Sequence, residues 1–304
     1  MATFQHIHVI INPASGRNEP ILNTLNTVWQ PHDLNWQVSI THKLGDGARY
    51  ARQAIESGAE LIVAYGGDGT VRDVASGMID QSVPLALLPG GTGNALVDEL
   101  GIPAQLEAAA RLVVAEEAQY RAVDVGRVGE GYFLLRVGTG LMADYSSQIS
   151  REMKNNWGVL AYYVGAFRVL RNLETYTYTM QLDGQTVEAD GVACLVMNTS
   201  AAGGSSGFRL SSQVQIDDGL LDVYVLTGRL QAILDVARTV ADVQPGQQTE
   251  ALKHWQAKHI TIDGPNNMQI YADGENMPTA STPVEMQVMP GVLRVLVPNP
   301  DNHT

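Results

Sequence analysis

Leu61-Ile62-Val63-Ala64-Tyr65-Gly66-Gly67-Asp68-Gly69-Thr70 is the stretch on which the reading of this chain turns. Leu61 to Ala64 is an apolar run without a polar interruption, which suits a strand buried on both faces, as in a parallel sheet. The glycines that follow let the chain turn sharply and bring backbone amides within hydrogen-bonding distance of a ligand. The helix expected next offers N–H groups and the positive end of its dipole, with Thr70 read as its cap. Together these features describe an anion site in which Asp68 supplies a carboxylate for Mg²⁺ beside phosphate groups. The same residues also suit a tight strand-to-helix connection with an ordinary capping box and no ligand.

Working outward, short β-branched runs alternate with helical stretches through the first ~125 residues, a pattern that calls for an open, mostly parallel sheet with helices on its faces. The expected strands are Ile7 to Ile11, Trp36 to Thr41, Leu61 to Ala64, Pro84 to Leu88 and Tyr120 to Val125. The expected helices are Pro20 to Trp29, Asp46 to Ser57, Thr70 to Ile79, Asn94 to Leu100 and Gln105 to Ala115. Ligands of such sheets bind where strands end and loops turn into helices. A second glycine-rich turn, Pro89-Gly90-Gly91-Thr92-Gly93-Asn94, follows the next strand, so both glycine platforms fall on one sheet edge. A third loop, Asn12-Pro13-Ala14-Ser15-Gly16-Arg17, places donors after the first strand, although an Asn-Pro turn alone would read the same way. Thr41, ahead of Gly45-Asp46-Gly47, completes the ring of polar loop residues. None of these loops has the spacing of an ordinary P-loop or of a dinucleotide fingerprint.

After about Val125 the pattern changes to short strands punctuated by Asp183-Gly184, Asp218-Gly219, Asp263-Gly264 and Pro290-Gly291, which read as hairpin turns. Strands are expected at 132–137, 175–182, 186–189, 192–197, 220–226, 259–262, 268–271, 284–289 and 293–297, with helices near Trp157 to Asn172 and Leu230 to Val240. The expected organisation is therefore an α/β domain over residues 1–125 and a β-rich, sandwich-like domain over 126–304. The last strand, near 291–298, is free to return to the first domain.

Composition narrows the function. With 304 residues and 45% apolar content there is enough chain for two cores. Thirty-two Asp and Glu against nineteen Lys and Arg give a net charge of −13, which repels polyphosphate backbones and argues against nucleic acid as a partner. The single cysteine, Cys194, lies in an apolar run and reads as a buried thiol, in keeping with a reducing cytosol. No secretion signal is seen at the N-terminus, and no apolar stretch approaches the ~18–20 residues of a membrane span. The seven histidines are scattered, so zinc is unsupported, and there is no Gly-x-Ser-x-Gly elbow of an esterase.

Asn-Pro-x-Ser-Gly at Asn12 to Gly16, GGDGT at Gly66 to Thr70 and P-G-G-T-G-N at Pro89 to Asn94, in this order, resemble the diacylglycerol kinase catalytic domain family. That family includes bacterial soluble lipid kinases and sphingosine kinases and is distantly similar to NAD kinases and phosphofructokinases. The resemblance extends through Asp124-Val125-Gly126, Val137-Gly138-Thr139-Gly140, Asp218-Gly219-Leu220-Leu221-Asp222-Val223 and Asp273-Gly274-Glu275. It implies ATP and Mg²⁺ as cofactors, with nucleotide contacts among Asn12, Ser15, Gly16, Thr41, Gly66, Gly67, Asp68, Gly69, Thr70, Arg72, Gly91, Thr92 and Asn94. It also implies a structural divalent cation held by Asp218 and by backbone carbonyls such as those of Gln215 and Leu220, although an Asp-Gly hairpin turn needs no metal. It places the catalytic base in Asp273-Gly274-Glu275, at Asp273 first and Glu275 as the alternative. The active cleft is then expected between the two domains.

The sequence departs from the family where Val71-Arg72-Asp73 replaces x-Asn-Glu after GGDGT, leaving Arg72 either on a phosphate or in solvent. Ala202-Gly203-Gly204-Ser205-Ser206-Gly207 replaces a Tyr-Gly-Gly-Gly segment, and Ala95 follows Asn94 where Asp is usual. These changes bear on the acceptor more than on the nucleotide. The leading expectation is an ATP-dependent lipid kinase acting on the free hydroxyl of diacylglycerol or a related lipid. The alternatives are NAD kinase-like phosphorylation of a soluble nucleotide and a non-catalytic nucleotide-binding regulator. Arg151 to Arg171, with basic residues around Trp157, Tyr162, Tyr163 and Phe167, suits either a headgroup layer or packing against the β domain. A cytoplasmic protein in transient contact with the membrane is expected, and a homodimer is compatible with this reading.

Overall fold

The computed structural model describes residues 4–15, 18–140, 174–200, 214–227, 252–264 and 268–299. They form two compact units, the first running to Val125 and regaining the chain from Pro290, the second lying between. The helices expected near Trp157 to Asn172 and Leu230 to Val240, the basic aromatic segment 151–171, the Ala202–Gly207 stretch and Gly16 lie outside the described residues.

The first unit is an α/β layer structure. Strands β1 (His6–Ile11), β2 (Asn35–Ile40), β3 (Leu61–Gly66) and β4 (Leu85–Pro89) pair in the order β2-β1-β3-β4, all parallel. All of β3 and β4 is buried, which explains their unbroken apolar sequences: helices cover both faces, so alternation has no purpose. Helices α1 (Ile21–Trp29), α2 (Asp46–Glu56), α3 (Asp68–Ser76), α4 (Ala95–Glu99) and α5 (Leu106–Val113) connect or follow these strands. The Trp29 indole is fully buried and donates to the Ala110 carbonyl at 2.9 Å, anchoring α1 on α5. Burying a large side chain of this kind is worth about 1.5–3 kcal/mol.

Helix α3 begins two residues before the sequence pattern suggested. Gly67 is its N-cap and Asp68 its first residue, so Thr70 lies inside the first turn and does not cap it. The Thr70 hydroxyl serves elsewhere, as the acceptor for Asn12 Nδ2 at 2.9 Å.

The second unit packs two antiparallel layers face to face. One has the strand order β12 (Leu252–Ala257), β11 (Leu221–Leu226), β10 (Ala193–Met197), β7 (Arg136–Gly140), β14 (Gln269–Ala272), β15 (Glu275–Ser281). The other contains β8 (Tyr176–Leu182), β9 (Gln185–Gly191), β13 (His259–Asp263) and the first part of β16 (Val284–Val297). Val137, Val196 and Val223 from the first layer share a core with Tyr178, Met180, Ile260 and Met286 from the second. Burial of the Cys194 thiol in this core pushes its pKa up to about 12.

Three expectations are corrected here. Pro290-Gly291 is not a hairpin turn: β16 runs from Val284 to Val297 in one piece. Gly291 takes a left-handed φ of 60° within that strand, and its N–H donates to Asp124 Oδ1 at 2.7 Å. Residues 284–287 pair with β13, whereas Val295 pairs in parallel with Leu85 of β4, so one strand serves both units. Residues 132–137 divide between β6 (Gly131–Phe133) and β7, because β5 (Gln119–Val128) pairs with β6 before the chain turns into the other layer. Strands β12 and β15 fall where the sequence pattern predicts no strand.

Candidate functional site

In the first unit the structure brings the glycine-rich loops into direct contact. The Gly90 N–H donates to the Gly66 carbonyl at 3.0 Å. A Cβ placed on Gly91 would lie 2.5 Å from the Gly67 Cα, a distance that only two glycines tolerate. The second loop is closed by Asn94, whose Oδ1 accepts the Gly91 N–H at 3.0 Å and whose Nδ2 donates to the Gly91 carbonyl at 2.8 Å. Asn94 is buried and holds a left-handed φ of 52°, a conformation asparagine tolerates better than most residues. Thr92 is exposed at the loop tip.

Asp68 stands between these loops. Its Oδ1 accepts the Leu96 N–H at 3.2 Å, and a Cβ on Gly93 would lie 3.0 Å from its Oδ2. The first loop joins them through the Asn12–Thr70 hydrogen bond, while Asn12 Oδ1 accepts the Ala14 N–H at 3.0 Å and the Asn12 carbonyl accepts the Ser15 hydroxyl at 2.6 Å. Thr41 is buried beside them, with its N–H on the Ile11 carbonyl at 2.9 Å. The loop residues of the expected nucleotide set that are described, Asn12, Ser15, Thr41, Gly66 to Thr70, Gly91, Thr92 and Asn94, therefore lie at one end of the parallel sheet, and Arg72 is half-buried in α3.

Asp73, seen in the sequence only as a departure from the family pattern, is the residue that ties α3 to α2. Its carboxylate accepts the Gly45 N–H on both oxygens at 3.1 Å and the Gly47 N–H on Oδ2 at 2.8 Å. Burial raises its pKa, and these amide donors act in the opposite direction. The signal that points to it is Gly45-Asp46-Gly47, a turn whose amides need an acceptor.

In the second unit, Asp273 adopts φ 51° and its carboxylate is held by backbone donors. Oδ2 accepts Leu134 N–H at 2.8 Å, and Oδ1 accepts the N–H groups of Leu135 and Arg136, each at 2.9 Å. The Asp273 N–H returns to the Arg136 carbonyl at 2.9 Å. Buried Asn198, which sequence reasoning missed, continues this network by donating from Nδ2 to the Leu134 carbonyl at 2.9 Å. Glu275, two residues on, is exposed at the start of β15.

Asp218 forms a turn of its own, with Oδ1 accepting the Leu220 N–H at 2.9 Å and Gly219 at φ 72°. Gln215 and Asp218 are exposed, while Val214 and Ile216 are buried. The donors available here are carboxylate and carbonyl oxygens, which suit a hard cation such as Mg²⁺ or Ca²⁺. Among the described residues no cluster of three or more His, Cys, Asp or Glu forms a metal site. A loop that relies on main-chain carbonyls would not produce one.

Residues 6–128 match the model of the diacylglycerol kinase catalytic domain, and residues 136–297 match that of the YegS C-terminal NAD kinase beta sandwich-like domain. The chain belongs to the diacylglycerol kinase catalytic domain family. A diacylglycerol kinase of Bacillus subtilis (strain 168) is 29% identical over 275 residues, covering 88% of each chain. A Klebsiella pneumoniae (strain 342) protein named "Probable lipid kinase YegS-like" is 26% identical over 302 residues and 98% of both chains. A crystal structure from Bacillus anthracis str. Sterne superposes with a TM-score of 0.80 at 28% identity, over 98% of each chain. The family is one of kinases, so a phosphotransferase is the class of activity that these matches support. Among the described residues no helix is long and apolar enough to cross a membrane.

Proposed function

We propose that this chain is an ATP-dependent lipid kinase that phosphorylates the free hydroxyl of diacylglycerol or a related lipid. The observation that carries the reading is the closure of Gly67 on Gly91 with the Asp68 carboxylate beside it. Phosphoryl transfer is chiefly a matter of positioning and electrostatics, and this arrangement supplies a backbone cradle and an acidic group at one sheet edge. Asn12, Ser15, Thr41, Gly66 to Thr70, Arg72, Gly91, Thr92 and Asn94 form the nucleotide-contacting set. Asp68 would hold Mg²⁺, which when bound neutralises charge on the phosphate oxygens. The Asp218 loop, with the carbonyls of Gln215 and Leu220, would hold a second, structural divalent cation.

For the base, the geometry favours Glu275. Both Asp273 oxygens are occupied by backbone N–H donors, which suits a residue that fixes the turn, whereas Glu275 is exposed beyond it. In the proposed step the Glu275 carboxylate takes the hydroxyl proton as the lipid oxygen attacks the γ-phosphorus. The bond from phosphorus to the bridging oxygen breaks and ADP leaves.

The test offers labelled ATP and Mg²⁺ with detergent-dispersed diacylglycerol, with NAD, or with neither. Label in the organic phase is expected. Label on NAD would replace this reading by a soluble-nucleotide kinase, and nucleotide binding without turnover on either acceptor would replace it by a regulator.

A further inference from the structure

The outer face of the six-stranded layer carries a buried ionisable pair that the proposed chemistry does not use. His254 Nε2 lies 2.5 Å from Asp222 Oδ1, and both side chains are fully buried. The imidazole stacks on the Tyr224 ring at 4.2 Å with 6° between the planes. The residues around them, Leu195, Met197, Val214, Tyr224 and Leu252, form a separate cluster from the sandwich core. His254 Nδ1 and Asp222 Oδ2 have no hydrogen-bond partner among the described residues. Such a pair is a costly way to fill an apolar site, since well-packed hydrophobic residues of similar volume often serve stability as well or better.

Its place in the chain supplies a reason. Asp222 stands two residues after Leu220, at the start of β11, so it is one foot of the 214–220 arc. The other foot is apolar and consists of buried Val214 and Ile216. In register, Tyr224 faces His254 and Asp222 faces Gln256, so the Asp222–His254 contact is diagonal and fixes where β11 begins relative to β12. Resting on the cation-loop reading above, we propose that His254 is a positioning residue for that loop. By holding Asp222 it sets the direction of the Leu220 carbonyl and the separation of the arc's two feet. Hydrogen bonds to metal ligands typically change metal affinity by about 10–100-fold when lost, and a contact that orients the ligand-bearing loop is expected at the low end of that range.

The test follows the unfolding temperature of the full chain during titration with MgCl₂ or CaCl₂ in the absence of nucleotide. Wild type is expected to gain stability with cation, and Asp218→Asn to lose that response. His254→Ala is expected to raise the midpoint cation concentration by about tenfold or more, and His254→Gln, which keeps a donor for Asp222, to bring it back within about threefold. Should His254→Ala fail to fold, the Asp222→Leu/His254→Leu double variant replaces it, being expected to fold while keeping the raised midpoint. An unchanged midpoint in the variant that folds overturns the proposal, as do equal rises in His254→Ala and His254→Gln, which would make packing the cause. A wild type that does not respond to cation, or an Asp218→Asn chain that responds normally, overturns the cation-loop reading itself.

Discussion

Replacing Gly91 by alanine is the most direct challenge to the cradle. The new methyl would lie 2.5 Å from Gly67 Cα, 3.2 Å from Gly67 N and 3.0 Å from Asn94 Oδ1. An ordinary carbon–carbon contact is ~3.5–4.0 Å, so the two loops must part by about 1 Å, and no side-chain rotation relieves a clash with backbone. Overpacking of this kind costs about 1–3 kcal/mol of stability. A displacement of about 1 Å at a reacting centre can lower turnover by about 100-fold. Gly67→Ala provides an internal scale, because its Cβ would lie 3.3 Å from Gly91 Cα and demands a shift of only a few tenths of an ångström. Calorimetric nucleotide binding and label transfer to lipid should therefore rank wild type, Gly67→Ala and Gly91→Ala in that order, with the last step the larger. A folded Gly91→Ala chain that binds nucleotide and turns over within about threefold of wild type would refute the idea that this close approach shapes the site.

Other consequences are open to measurement. Glu275→Gln should lower turnover by about 10²–10⁴-fold, far more than it lowers nucleotide affinity. Asp273→Asn should lower the unfolding temperature as well, since the carboxylate meets three backbone donors with two oxygens, whereas an amide has one acceptor oxygen and would turn its NH2 toward a backbone N–H. The Arg49 guanidinium, followed by the His42 N–H, holds the Asp46 carboxyl down to about 2 from its ordinary 3.8. A lowered folded pKa adds stability above the ordinary value that is lost as pH falls through about 2, so Asp46→Asn should flatten the acid limb of a stability–pH curve in that window. Cys194 is buried with its pKa pushed up to about 12, so a thiol reagent near neutral pH should modify the chain only after denaturation.

The parallel half of the fold was legible because its central strands are buried on both faces and written as continuous apolar runs, with glycine-rich turns marking their ends. What punctuates one context misleads in another. Pro290 and Gly291 look like a turn, yet the strand passes through them, with Gly291 hydrogen-bonded to Asp124, a partner 167 positions away. Strand β12, Leu-Lys-His-Trp-Gln-Ala, lacks β-branched residues and buries a histidine on the face away from the sandwich core, a burial that becomes intelligible only once Asp222 is seen beside it. Strand β15 contains Pro278, which argues against a central strand, and it lies at the end of its sheet, where a missing N–H is tolerated. At the candidate site, the glycines and Asp68 announce themselves by type and spacing. The roles of Asp73, Asn198 and Asp273 rest on which distant amides and carbonyls they meet, and those pairings arise only on folding.

The division of β16 between the units has a practical outcome for anyone dissecting this molecule. A fragment ending at Val125 would retain β4 yet lack its neighbour from the far end of the chain, exposing the apolar rim of Leu85 to Leu88 to any strand in solution. Such a fragment should aggregate, whereas one in which residues 290–299 are grafted back through a flexible linker should remain dispersed. The first unit is thus not a contiguous text that recombination could lift out whole, and the chain's last ten or so residues travel with it or it fails.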